Sequence, residues 1–224
     1  MCPRSWKPSR IGATRLEREA EAPVQLHTRV AVTGRKYMDE IDLTIPIAQN
    51  PELQDHLIYQ AVCRFNRLDT YLLEVKVDEV CMCGRLAFYV QNWLWEHRMS
   101  QYDADIEYNR GYAGLDGGIK RMDEKNVRLD MIVHKRGYDA HERGFENIIC
   151  IEMKKASNRE GCEKDEARLQ KLTDQNSDYK YCVGYMLMAD DESDEKKLRI
   201  RSVFRNGERV FTENAFANES EAAF

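Results

Sequence analysis

The sequence predicts an α/β protein, a sheet with helices on its faces, and three observations carry that expectation. Between residues 78 and 189 the elements run helix, strand, strand, helix, strand. The runs Ile148 to Ile151 and Tyr181 to Ala189 are apolar almost without interruption, as suits strands covered on both faces. Met82, Leu86, Tyr89, Val90, Trp93 and Leu94 recur at spacings of three and four, which is the period of a half-buried helix.

Taken in order, residues 1–23 mix charge, Ala, Pro and Ser with no sustained period and read as a loose arm. Val24 to Tyr37, around Thr33-Gly34, suggests a hairpin-like element, and Ile41 to Ile47 reads as a short strand. Asn50-Pro51 is an N-cap followed by proline at the first helical position, opening a helix to about Phe65. Asp78 caps the next helix, which runs to about His97, with Trp93 in the core and Trp95, on another side, a candidate interface residue. A Gly-rich loop from Gly114 to Gly118 precedes two strands, Val127 to His134 and Asn147 to Lys154, the second central in the sheet. A helix from Glu163 to about Gln175 points Leu169 and Leu172 inward, and Tyr179 to Ala189 forms a further buried strand. Asn206-Gly207 marks a hairpin within Leu198 to Thr212. The chain divides into an arm and extension over 1–77, a core over 78–212 and a tail over 213–224.

Composition narrows the class. With 42% hydrophobic and 33% charged residues, the chain holds enough apolar material for a core and too much for a disordered segment. No apolar run approaches the roughly 18 residues of a membrane span, and the basic residues near the N-terminus lack an apolar signal-peptide core. Neither a membrane setting nor export is expected. Seven scattered cysteines suit a reducing compartment, so a cytoplasmic location is the expectation. A formal charge of −5 argues against wholesale nucleic-acid binding and requires any such site to be local.

The chemistry gathers at the two central strands. Alternation puts Asp130 on the side of Ile132, and puts Glu152 and Lys154 together opposite Ile151 and Met153. If these strands are neighbours, the two acids and the lysine converge. Charges at the end of an apolar sheet are costly unless they pair or bind something. One answer is a salt-bridged rim in which Lys154 neutralises Glu152. The other is a hard divalent cation such as Mg²⁺, which takes oxygen ligands from one or two carboxylates, water and substrate phosphate. Lys154 beside it would orient or help deprotonate a water nucleophile. Glu79, in the first turn of the Asp78-capped helix, lies on that helix's inward face, three residues before Met82 and seven before Leu86.

The segments "DEVCMCGRLAFYV", "RLDMIVHKRG", "NIICIEMKK", "EKDEARLQKLT" and "YKYCVGYMLM" resemble the PD-(D/E)XK phosphodiesterase superfamily, and within it an uncharacterised bacterial group. The likeness spans roughly Asp78 to Ala189, with Leu129 where the superfamily's name has proline. It implies a restriction-endonuclease-like mixed sheet and a metal-dependent nuclease acting on nucleic acid, DNA over RNA. Asp130 and Glu152 match the metal-binding acids, Lys154 the catalytic lysine, and Glu79 the helix glutamate that many members place beside the metal. The implied cofactor is Mg²⁺, with Mn²⁺ as a substitute, and a homodimer is a form in which many such nucleases cut duplexes. The alternative on the same fold is a catalytically silent nucleic-acid-binding or protein-interaction module.

Flanking residues are weaker candidates. Glu107, Tyr108 and Arg110, in "DADIEYNRGY", line the cleft or form an irregular loop. Lys155 and Lys171 are candidate phosphate contacts or simply exposed lysines. Lys120 to Arg159 holds ten Lys and Arg against seven Asp and Glu, so that segment is basic within an acidic chain. His134 shares the side of Asp130, where a hydrogen-bonded structural histidine is the ordinary reading.

Overall fold

A computed structural model describes residues 41–108, 121–122, 125–136 and 147–212 of the chain. The expected hairpin at Val24 to Tyr37, the Gly114 to Gly118 loop and Arg110 lie outside the described residues.

Helix α1 (Pro51–Leu68) starts where expected. The Asn50 side chain accepts the Leu53 N–H at 3.1 Å, and Pro51 sits in the first turn, where a missing N–H leaves no helical bond unmade. After the single turn α2 (Tyr71–Glu74), helix α3 (Glu79–Glu96) runs between Asp78 and His97, burying Met82, Leu86, Val90 and Leu94 while Trp95 stays exposed. Ile41 to Ile47 is not the expected strand but a bend leading into a 3-10 turn, Ile47–Gln49. Its alternating apolar residues suggested a strand, yet the Asp42 side chain folds back onto the Thr44 N–H and hydroxyl, and Pro46 has no N–H for a ladder.

Six strands form one mixed sheet in the spatial order β1 (Asp103–Tyr108), β4 (Leu129–His134), β5 (Asn147–Lys155), β6 (Val183–Asp190), β7 (Lys197–Arg205) and β8 (Glu208–Thr212). The short β2 (Arg121–Met122) and β3 (Lys125–Asn126) pair separately. Neighbours are antiparallel except β5 and β6, whose parallel pairing is reached through helix α4 (Cys162–Thr173). Where the sequence left Glu107 and Tyr108 either lining a cleft or in an irregular loop, residues Asp103–Tyr108 form strand β1. It pairs with β4 from Asp103 opposite His134 to Tyr108 opposite Leu129, and as an edge strand it needs no apolar run. Strand β6 begins at Val183 rather than Tyr179; Lys180 has φ +47°, in the left-handed region and outside the extended conformation of a strand. At the β7–β8 hairpin, Asn206 and Gly207 both have positive φ, as the two-residue turn requires.

The sheet has a core on each face. Met131, Val133, Ile149, Ile151 and Met153 face α1 and α3, whereas Ile132, Cys150, Met186 and Met188 face Leu169 and Leu172 of α4. Segment 41–77 packs into the first of these cores. Helix α4 lies very close to β6 at Gly184: a Cβ there would meet Thr173 Cγ2 at 3.2 Å and Cys150 Sγ and Leu169 Cβ at 3.3 Å. Nearer the start of α4, Asp165 and Arg168 meet Lys154 and Glu152 at the polar end of β5.

Candidate active site

Strands β4 and β5 are antiparallel neighbours, with Met131 opposite Ile151 and Ile132 opposite Cys150. Asp130 near the start of β4 therefore stands beside Glu152 and Lys154 near the end of β5. The Asp130 Oδ2 accepts the Met153 N–H at 2.8 Å, which fixes its carboxyl against β5. The carboxyls of Asp130 and Glu152 lie close enough to perturb each other electrostatically. Glu152 is nearly sealed, with a side chain 3% exposed, and its Oε1 has no hydrogen-bond partner among the described residues. Arg168 Nε lies 3.2 Å from that oxygen, close enough for an ion pair but not aligned for a hydrogen bond.

Lys154 is held from two sides, its Nζ 3.4 Å from Glu79 Oε2 and 3.3 Å from Asp165 Oδ2. Glu79 reaches β5 from the first turn of α3. Its other oxygen accepts the Lys155 N–H at 3.1 Å, so both its oxygens are committed to the end of β5. Asp165, one turn into α4, also binds the Arg168 guanidinium three residues on. The described groups thus form one chain: Glu79, Lys154, Asp165, Arg168, Glu152, Asp130.

The electrostatics follow from burial. Loss of water raises the Glu152 carboxyl well above its usual range, and repulsion from Asp130 adds to this while Arg168 opposes it. Burial also raises Asp130, although the Met153 N–H, the hydrogen bond from Glu152 and the Lys154 charge pull the other way. At Lys154, burial works to lower the ammonium's pKa, but Asp165, Glu79 and Asp130 together outweigh it and hold the group above the ordinary lysine value. Lys154 is therefore a cation at neutral pH.

The flanking candidates separate. Lys155 directs its Nζ to the Lys76 carbonyl at 3.2 Å, and Lys171 lies on the exposed side of α4. Glu107 pairs with Arg128 at 3.3 Å, and Tyr108 packs edge-on against His134. His134 is a buried structural residue whose Nε2 lies 2.9 Å from Asp105 Oδ2. Sequence reasoning missed Asp165 and Arg168. The signal was there: Asp165 precedes Leu169 by four and Leu172 by seven, and Arg168 precedes Leu172 by four, the same spacing that singled out Glu79.

Fold and site together define a mixed α/β protein with a buried carboxyl pair and a clamped ammonium where two central antiparallel strands meet. No family model, curated protein or solved structure matches the chain. Among the described residues no helix is long and apolar enough to cross a membrane.

Proposed function

We propose that the protein is a metal-dependent phosphodiesterase of the restriction-endonuclease-like class that hydrolyses nucleic acid, with DNA favoured over RNA on the motif resemblance alone. The observation that carries this reading is the Asp130–Glu152 pair, a buried acid beside a half-buried one, in which one Glu152 oxygen finds no hydrogen bond among the described residues. A buried carboxyl with a spare lone pair beside a second acid is expensive as pure architecture and apt as an oxygen donor set.

The donor chemistry fits one hard cation. Asp130 and Glu152 supply the two carboxylates that Mg²⁺ or Mn²⁺ ordinarily takes from protein, leaving water and phosphate to complete the shell. Among the described residues no group of three or more His, Cys, Asp or Glu is placed to hold a metal, so a closed zinc-type site is not supported. Bound between these acids, the cation would polarise the scissile phosphate and make its water more acidic. Glu79 falls outside this set, since both its oxygens serve Lys154 and Lys155; its role in this reading is to position the lysine. Lys154, held protonated, acts as a donor that orients the attacking water and offsets phosphate charge, not as a base. Asp165 fixes the ammonium from the opposite side. Lys155 and Lys171 then serve as outlying contacts to the phosphate backbone.

A second reading has its own observation. Every cation in the cluster already has an acid: Lys154 has Glu79 and Asp165, and Arg168 has Asp165 and Glu152. That pairing also suits a silent module that binds nucleic acid or protein. The deciding experiment incubates purified protein and Mg²⁺ or Mn²⁺ with supercoiled plasmid, linear duplex, single-stranded DNA and RNA. Cleavage abolished in Asp130→Asn and Lys154→Met, with melting curves showing folded variants, supports the enzyme. Salt-dependent binding with no cleavage supports the module. Sedimentation with and without duplex tests the homodimer.

A further inference from the structure

Arg168 is placed as no surface arginine would be. Its side chain is only 24% exposed, one end is tied to Asp165 within the same helix, and Nε stands 3.2 Å from the otherwise unbonded Glu152 Oε1. The guanidinium thus presents charge, but no aligned hydrogen bond, to the one oxygen the metal reading needs. A pair with this geometry satisfies electrostatics and leaves the lone pair unused. We infer that Arg168 is the resident counter-cation of Glu152, which a divalent cation must displace, so that this arginine sets the metal affinity of the carboxyl pair. Asp165 gives the displaced guanidinium a place to stay, since its contact with Arg168 does not involve Glu152. The chain then carries a substitute charge that keeps the buried acid tolerable when no metal is bound. The inference rests on the metal-site reading above.

The test is calorimetric titration of metal-free protein with MnCl₂ and MgCl₂, a measurement independent of cleavage. Wild type, Arg168→Gln, Arg168→Lys and Glu152→Gln are compared. Losing the competing charge is expected to tighten Mn²⁺ binding in Arg168→Gln on the order of tenfold, the lysine variant falling between it and wild type because the shorter cation reaches Glu152 less well. In chelator Arg168→Gln should melt below wild type, and Mn²⁺ should raise its melting temperature more than that of wild type. If Arg168→Gln does not fold without metal, Arg168→Lys decides: binding tighter than wild type supports the inference, and equal or weaker binding overturns it. Wild type that binds in a Glu152-dependent way, with Arg168→Gln binding no tighter, overturns the inference and leaves the site reading intact. Absence of binding in every protein, or equal binding by Glu152→Gln and wild type, overturns the site reading and the inference with it.

Discussion

Replacing Glu152 by glutamine should make the metal-free protein more stable at neutral pH while weakening the proposed metal binding. The side chain is 3% exposed and sits between Asp130, which repels it, and Arg168, which attracts it at 3.2 Å. At contact range and an effective dielectric near 20, each of these interactions is about 4 kcal/mol, and with opposite signs they largely cancel. What remains is desolvation, several kcal/mol for a buried ion but only about 1–3 kcal/mol for an imperfectly bonded amide. The glutamine is isosteric and keeps a donor toward Asp130, so the variant should gain about 1–3 kcal/mol. In a chain of this size that is about 3–10 °C in Tm. The sign with pH is fixed by the direction of the shift. An acid whose folded pKa is raised penalises folding above its unfolded value, increasingly until pH passes the folded one, and carries no penalty below the unfolded value. The advantage of the variant should therefore vanish near pH 4 and grow as pH rises above the unfolded value. Thermal melts in chelator across that range measure it, with Mn²⁺ added in a parallel series to show that wild type alone is stabilised by the metal. A Glu152→Gln protein less stable than wild type at every pH would show that Glu152 is a structural ion-pair residue, refuting the reasoning.

Three further outcomes are expected. Gly184→Ala places a Cβ 3.2–3.3 Å from Thr173, Cys150 and Leu169, and should cost about 1–3 kcal/mol, read as a lower urea midpoint. Because α4 would lift from β6, weaker Mn²⁺ binding should accompany it. At Asp105, burial pushes the carboxyl up but hydrogen bonds from His134 and Arg136 outweigh it and hold the group well below its usual range. Its stabilisation is thus full above the unfolded value near 3.9 and is lost as pH falls through the folded one. Asp105→Asn should flatten the acid limb of a pH titration followed by circular dichroism. Tyr185→Phe removes the hydroxyl that donates to Asp55 Oδ1 at 2.5 Å, leaving Arg205 at 2.7 Å, and should lower stability by about 1–2 kcal/mol without changing metal binding.

The site was legible in outline because strand alternation and helix period are local properties. Ile148 to Ile151 announced a doubly covered strand, and that strand fixed Glu152 and Lys154 on one face. Asn50-Pro51 and Asn206-Gly207 located a helix start and a hairpin through side-chain and backbone chemistry confined to a few residues. The failures share a different cause. Ile41 to Ile47 has strand alternation but no partner strand among the described residues, and the Asp42 side chain folds back onto Thr44 and curls it. Strand β1 has a partner but no apolar pattern, so only the tertiary structure reveals it. Asp165 and Arg168 were visible as inward positions on a helix, yet nothing local says that the helix face descends onto Lys154 and Glu152; that is a matter of how the helix packs on the sheet.

Charge balance gives the cluster its meaning. Glu79, Asp130, Glu152 and Asp165 meet only Lys154 and Arg168 in the described network, four acids against two cations. Fully ionised, the group would hold two uncompensated negative charges, one of them on a side chain almost out of water. A fold selected only for stability would delete one acid or add one base, since apolar replacements for buried ion networks are often neutral or stabilising. Two routes relieve the excess. A proton shared between Asp130 and Glu152 halves it, which is the direction in which both carboxyls shift. A divalent cation cancels it entirely. The two compete for the same oxygens, so metal binding should release a proton, and Mn²⁺ titrations in buffers of different ionisation enthalpy should give different apparent heats. Identical heats in every buffer would mean that the pair is already ionised without metal, and the excess charge would then need another counter-ion.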